Sequence, residues 1–282
     1  MPINDSANQR IADFDAALTL NGNQPPEGPL YTGVDLGTAY IVTAVVDRLG
    51  NPVAGALTHS KSSVRDGLIL DYVGAVNILR QQVAMIRGAG FSLQAAAAAY
   101  PPGTVGRNAK AFGNVLDSVR LEVVGLIDEP TAASMVLGIT DGAVVDIGGG
   151  TTGISVIKDG KVAYTADEPT GGIHVDLVLA GHYKIPDYEA EKMKRDPERQ
   201  SEILPLITPV FEKMASIVRK HLKGHQVGTL YLVGGTSCFP GIEAVMEMET
   251  HLPVSRPDNP LLVTPLGIAL SCLEQSHNFR NA

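Results

Sequence analysis

A strand that ends in aspartate and runs into bare glycine occurs twice, as "GVDLGTAY" at residues 33–40 and as "VVDIGGGTTG" at residues 144–153. In each copy an apolar run closes on Asp, Gly permits a tight turn, and Thr follows. Each copy lies within a series of three short apolar runs. These are "LYTGVDLG", "AYIVTAVVDRLG" and "PVAGALTHS" in the first, and "GAVVDIGGG", "TTGISVIKDG" and "KVAYTAD" in the second. Turn signals such as "LGNP" and "KDGK" between them read as antiparallel meanders. After each meander, helical patterns alternate with single strands, which is the pattern of a parallel sheet. One plan used twice is an internal duplication. It predicts two α/β halves that face each other across a cleft, the usual place for a ligand.

In the first half, "RDGLILDYVGAVNILRQQVAMIRGAG" reads as one helix, with Leu68, Ile69, Tyr72, Val73, Val76, Leu79, Val83 and Ile86 at helical spacing and Gly88 at its end. Ala95 to Ala99 favour helix intrinsically. The run is short and ends in Pro-Pro-Gly, so a buried strand is preferred. "TVGRNAKAFGNVLDSVR" reads as a helix, "LEVVGLI" as a strand, and "DEPTAASMVLG" as a helix with Pro130 in its first turn and Gly138 at its stop. In the second half, "GGIHVDLVLAGHY", "ILPLITPVFEKMASIVRKHLKG", "PGIEAVMEME" and "PLLVTPLGIALSCLEQ" read as helices, "GTLYLVGG" as a strand, and "LPVSRPD" as an edge strand or loop. The charged "PDYEAEKMKRDPERQSE" reads as a solvated helical excursion. The expected organisation is a polar arm over residues 1–29, acting as linker or cap, a first domain over 30–141 and a second over 142–282. The last helix is expected to pack back toward the first domain.

Composition excludes several classes. A net charge of -8 argues against a nucleic-acid partner, which needs a basic surface. No stretch has the length and purity of a membrane span, and the N-terminus has no secretion-signal pattern. The two cysteines, Cys238 and Cys272, match no metal spacing and no disulfide framework. A cytoplasmic location is expected. The seven histidines form no metal-like cluster, and each reads as a surface or packing residue. Ser237 lies in no GxSxG elbow, and Cys238 reads as a buried apolar residue. Neither a P-loop nor a GxGxxG after the first strand is present.

The glycine loops carry the chemistry. Backbone without side chains can aim its N–H groups at phosphate oxygens, and the Thr hydroxyl adds a donor. Asp alone would repel a phosphate; it fits if a divalent cation sits between them. Taken alone, "DLGT" is a weak signal that reads as a hairpin turn with a helpful Asp more readily than as a phosphate loop. "DIGGGTT" says more, because three glycines cost conformational entropy unless bare backbone is needed. Two such loops fit a nucleotide polyphosphate held from both sides. In "LYLVGGTSCFPGIEAV", Gly234 and Gly235 would allow a flat ligand to approach, although a plain strand-turn-helix explains the same residues.

In this order the motifs resemble the actin/Hsp70/hexokinase ATPase superfamily. "VDLGTA" and "VVDIGGGTTGISVI" look like its two phosphate motifs, "DEPTAASMVLG" and "TPLGIALS" its connecting helices, and "LYLVGGTSCFPGIEAV" its adenosine motif. "EPTAA" and "GGGTT" place the chain nearest the Hsp70, bacterial actin and FtsA branch, and "VRDGLILDY" resembles a stretch of the bacterial actin MreB. The compact length and the arm are similar to the ethanolamine-utilisation J (EutJ) family, regarded as chaperone-like and travelling with bacterial microcompartment enzymes.

The resemblance implies a two-lobed actin/Hsp70-like fold of duplicated ribonuclease H-like domains, with ATP and Mg²⁺ as cofactors. Asp35 and Asp146 would position the metal and its waters. Gly37, Thr38, Gly148, Gly149, Gly150 and Thr151 would hold the phosphates. Glu129 would help polarise the attacking water, and Gly234, Gly235 and Thr236 would line the adenosine pocket. Two departures bear on hydrolysis. Relatives usually carry Asp where this chain has Gly153, and the Lys that Hsp70 uses has no firm match, Lys61 being the available residue. The implied function is an ATP-binding, weakly hydrolysing chaperone or reactivation factor. Its client would be a protein such as ethanolamine ammonia-lyase or a microcompartment shell protein. A bacterial-actin-like or FtsA-like scaffold is the alternative, and a small-molecule kinase of the same superfold is a third.

Overall fold

The computed structural model describes residues 3–20, 24–60, 64–65, 68–104 and 106–280. Its two main sheets repeat one topology. In the first, β1 (Tyr31–Leu36), β2 (Tyr40–Val46) and β3 (Pro52–His59) form an antiparallel meander. A small hairpin, β4 (Val64–Arg65) with β5 (Leu68–Ile69), follows. Then β6 (Ala95–Tyr100) joins β1 in parallel and β7 (Glu122–Asp128) joins β6, giving the order β3-β2-β1-β6-β7. In the second, β8 (Gly142–Ile147), β9 (Thr152–Lys158) and β10 (Lys161–Glu168) form the meander. Then β11 (Leu230–Val233) and β12 (Val254–Ser255) add in parallel, in the order β10-β9-β8-β11-β12.

The helices are α1 (Asp5–Ala17), α2 (Tyr72–Gly88), α3 (Arg107–Asp117), α4 (Glu129–Leu137), α5 (Gly172–Tyr183), α6 (Asp187–Arg195), α7 (Pro197–Leu222), α8 (Ile242–Thr250) and α9 (Val263–Arg280). Three buried clusters organise them. One packs the first sheet under α2 and α3, and one packs the second sheet under α7 and α8. The third lies between the sheets and is filled by α1, α4 and α9. The central strands alternate between clusters. Val34 and Leu36 of β1 face the first and Tyr31 faces the middle, while Val145 and Ile147 of β8 face the second and Val144 the middle. The alanine run obeys the same rule, with Ala96 and Ala98 on one face and Ala97 and Ala99 on the other. A strand buried on both faces need not alternate in polarity, which is why strand prevails over alanine's helical preference.

The connecting helices meet backbone to backbone. A Cβ on Gly267 of α9 would overlap the Ala132 carbonyl of α4. Gly33 of β1 likewise leaves room for the Ala269 backbone. Gly138 ends α4 in the left-handed conformation, φ 64°, as a glycine stop should.

Two elements differ from the sequence reading. The helix expected from Arg65 onward begins at Tyr72, where Asp71 Oδ1 accepts from Gly74 N at 2.8 Å. Leu68 and Ile69 sit in β5 instead. The polar N-terminal stretch contains α1, capped by Asn4 Oδ1 accepting from Ala7 N at 2.7 Å, with Ile11 and Phe14 fully buried. The apolar stripe of α1 is only a few residues wide, so the polar majority masked it.

Candidate nucleotide cleft

The duplicated topology brings the ends of β1 and β8 to opposite sides of one cleft. Asp35 is next to last in β1 and Asp146 next to last in β8. Glu129 opens α4 directly after β7, where Asp128 caps the helix by accepting from Thr131 N at 3.0 Å and Thr131 Oγ1 at 2.7 Å. The cleft is lined by all twelve residues singled out from the sequence: Asp35, Gly37, Thr38, Glu129, Asp146, Gly148, Gly149, Gly150, Thr151, Gly234, Gly235 and Thr236. It encloses about 290 Å³, at the small end for ligand pockets. The two glycine loops lie close together across it. A Cβ on Gly149 would stand 3.1 Å from Ala39 Cβ, and one on Gly150 would stand 2.9 Å from Thr38 Oγ1.

The second loop is held from behind. Gly148 N donates to Thr151 O at 3.0 Å, closing the turn. The Gly148 carbonyl accepts from Gly172 N at 3.0 Å and Thr236 Oγ1 at 2.7 Å, and the Gly149 carbonyl accepts from Ile173 N at 2.8 Å. The start of α5 therefore binds the loop's carbonyls, so the loop is fixed by its oxygens. Gly171 permits this, since a Cβ there would lie 2.7 Å from the Gly149 oxygen. Sequence reasoning missed Gly171 and Gly172, although "TGGIHV" was a second glycine pair at a helix start. Thr236 lines the cleft, but its hydroxyl is committed to Gly148. Gly234, at φ 88°, lies so close to Asp146 that a Cβ would overlap the Oδ1 atom.

The acids at the cleft floor work against one another. Burial pushes the Asp35 carboxyl up to about 7, with the Asp146 charge adding to it. Burial raises Asp146 to about 6, while a hydrogen bond from Thr264 Oγ1 to Asp146 Oδ2 at 2.9 Å pulls the other way. Glu129 lies well above the ordinary carboxylate range through burial and then the charges of Asp146, Asp35, Asp167 and Asp128. Converging carboxylates that resist ionisation suit a hard divalent cation. Among the described residues no three His, Cys, Asp or Glu side chains are close enough to hold a metal by themselves. Mg²⁺ does not require three protein ligands, since it keeps several waters and is bound through one or two carboxylates plus substrate phosphates.

The charged segment expected to be solvated is part of the site. Glu191, Lys194 and Arg195 of α6 line the cleft, as does Gln200 of α7. Lys194 Nζ lies 2.7 Å from Asp176 Oδ1 and donates to the Gly172 carbonyl at 3.1 Å. The spacing of 191, 194 and 195 on one helical face was a signal that high charge concealed. Cys238, expected to be buried, is exposed toward the cleft. Although part of the residue reaches solvent, the groups packed around its sulfur desolvate the thiol and raise it, with Arg256 pulling the other way. Apolar lining comes from Phe211, Phe239 and Leu261. Gly153 pairs with Asp146 on one side and Asp167 on the other. Lys61 lies outside the described residues. Among the described residues, no helix is long and apolar enough to cross a membrane.

Known proteins share both sequence and shape with this chain. The family model described as cell division protein FtsA matches residues 143–267, and the MreB/Mbl protein model matches residues 57–195. Ethanolamine utilization protein EutJ of Salmonella typhimurium is 45% identical over 258 residues, which cover 88% of this chain and 89% of the relative. EutJ of Escherichia coli is 45% identical over 264 residues, covering 92% and 93%. The crystal structure of EutJ from Carboxydothermus hydrogenoformans superposes with a TM-score of 0.88 at 49% identity, covering 94% of this chain and 97% of that one. MreB5 of Spiroplasma citri bound to AMPPNP superposes with a TM-score of 0.72 at 18% identity, covering 91% and 99%, a likeness of fold.

Proposed function

The chain belongs to the ethanolamine utilization protein EutJ family, with an actin-like ATPase fold, and on that premise we propose that it is a Mg-ATP-binding, slowly hydrolysing chaperone-like or reactivation protein of ethanolamine utilisation. One observation carries the nucleotide reading: Asp35, Glu129 and Asp146 converge beneath two glycine loops that face each other. Structural neighbours of the same fold were solved with AMPPNP and with ADP.

In this reading the backbone of Gly37, Thr38, Gly148, Gly149, Gly150 and Thr151 binds the phosphates, and the Thr hydroxyls add donors. Asp35 and Asp146 are the residues that would hold the metal. The metal, when bound, supplies the positive charge that neutralises phosphate oxygens. Glu129 orients a water toward the terminal phosphate. Gly234, Gly235 and Thr236 carry the adenosine side, with Phe239 and Leu261 as apolar walls. Such a site works by positioning and charge neutralisation. Gly153, in place of an acid, limits turnover more than binding. Nucleotide spanning both lobes shifts an open–closed equilibrium that a client protein reads. The clients proposed are ethanolamine ammonia-lyase and microcompartment shell proteins. A pull-down from cells grown on ethanolamine, with and without ATP, tests this; nucleotide-dependent recovery of either is expected, and their repeated absence contradicts it.

The partial matches to the FtsA and MreB/Mbl models favour a second reading, a filament or scaffold. Light scattering at micromolar protein distinguishes the two. ATP-dependent polymer supports the scaffold.

A further inference from the structure

Just beyond the first glycine loop, side chains from both lobes meet across the cleft, which Tyr40, Glu191 and Arg195 line. His59, the last residue of β3, places Nε2 at 2.7 Å from Glu191 Oε1 on α6. Four residues on, Arg195 donates from Nη1 to the Tyr40 hydroxyl at 2.6 Å, and its guanidinium carbon lies 6.0 Å from the centre of the Tyr40 ring. The Tyr40 and His59 rings meet edge to face at 5.5 Å. Arg195 Nη2 stands 3.8 Å from the same Glu191 carboxylate. The four side chains thus form a closed ring, two from the first lobe and two from the second.

The two cross-lobe contacts differ in chemistry. Arg195 is charged at every physiological pH, so its bond to Tyr40 is constant. Histidine is the side chain that gains or loses charge between pH 5 and 8, so the contact with Glu191 is an ion pair only when His59 carries its proton. Among the described residues, the titratable groups in contact with His59 are Glu191 and Tyr40, and Arg195 is the charged group that touches both of them. The side chains of His59 and Glu191 are 36% and 21% exposed, so solvent screens the pair and its effect is modest.

The geometry points to a proton-linked latch, in which protonated His59 holds the first lobe to Glu191 of α6 and closes the mouth of the cleft. Acidification closes the cleft and slows exchange of whatever it holds. This rests on the Mg-nucleotide reading only for the identity of the ligand; the closure itself needs none. His59 does not line the cavity, so its substitution leaves the phosphate loops and acids intact.

The test uses spin labels at exposed Leu49 and Tyr188, one on each lobe, introduced as cysteines with Cys238→Ser and Cys272→Ala. Distances are measured without nucleotide at pH 6 and pH 8, in that background and with His59→Gln added, since Gln still hydrogen-bonds but does not titrate. Asp35 and Asp146 also titrate in this range and contribute alike with and without the substitution, so the latch is read as the difference between the two backgrounds: a shorter, narrower distribution at pH 6 than in His59→Gln is expected, with the two alike at pH 8. A pH response of the same size in both backgrounds overturns the proposal, as does an identical distribution at both pH values. In a second arm, release of a fluorescent ADP at pH 6 should be about twofold to fivefold slower than in His59→Gln, with the two alike at pH 8. If no nucleotide binds, the Mg-ATP reading fails and the distance measurement still decides the latch.

Discussion

Thr264 donates a 2.9 Å hydrogen bond to Asp146, joining the helix that packs between the lobes to the acid at the end of β8. The same helix meets α4 at Gly267 and Ala132. One element therefore touches both the carboxylate and the crossing point of the lobes. Thr264→Val removes the donor with little change of volume and leaves a buried carboxylate oxygen without that partner, at a cost of about 1–3 kcal/mol. Mg-ATP affinity measured by calorimetry should fall roughly tenfold or more, and Thr264→Ser should restore most of it. Equal affinity in wild type and Thr264→Val would remove Thr264 from the account.

The acids predict how the ligand-free protein responds to pH. Asp35 and Asp146 titrate at about 7 and about 6 in the folded chain, above the values of the unfolded chain, and Glu129 is raised as well. Between the unfolded and folded values the folded protein binds more protons, so stability falls as pH rises. The contribution is fullest near pH 4 and declines through pH 6 and 7. The melting temperature should therefore drop from pH 5 to pH 7.5. Asp35→Asn should raise stability at pH 7.5, by about 1–3 kcal/mol, while weakening Mg-dependent binding. A melting curve that Asp35→Asn leaves unmoved at pH 7.5 would mean that the acids do not repel as described.

Gly153→Asp places a further carboxylate among these acids. A Cβ there meets Pro102 Cγ at 3.4 Å and Asp146 Cβ at 3.9 Å, which is ordinary contact. The expected variant melts lower than wild type at pH 7.5 without metal, gains more stability from MgCl₂, and releases phosphate from ATP faster. Faster release without any metal-dependent stabilisation would point away from Gly153 as the limit on turnover.

Gly267→Ala should destabilise the chain by about 1–3 kcal/mol or more, because the crossing helices cannot separate without unpacking the middle core. Gly181→Ala is the control. Its Cβ meets nothing within 4 Å, and an exposed helical glycine replaced by alanine gains up to about 1 kcal/mol. Urea denaturation of both variants gives the comparison; similar effects would show that the crossing is not tight.

Much of this architecture is legible in the sequence for a physical reason. Paired strands that end in Asp and glycine, followed by helices with Pro at the start or Gly at the stop, encode local geometry residue by residue, and the duplication repeats it. The twelve residues gathered in the cleft belong to such local motifs. What escaped depends on distant packing. Glu191, Lys194 and Arg195 look like a solvated face because nothing nearby in sequence shows that α6 folds over the cleft. Phe14 and Ile11 look like strays in a polar arm because the surfaces they bury against, β3 and α9, are far along the chain. Leu68 and Ile69 fit the phase of α2 and were separated from it only by the cap at Asp71.

The central claim is that the facing glycine loops and their acids bind nucleotide through a metal. Calorimetric titration of ATP into the wild-type protein and into Asp146→Ala, each with MgCl₂ and with EDTA, tests it most directly. The account predicts saturable binding by wild type only with Mg²⁺, and loss of that binding in Asp146→Ala while circular dichroism stays native. Affinity that is unchanged in Asp146→Ala, or no Mg-ATP binding by the wild type, would contradict it.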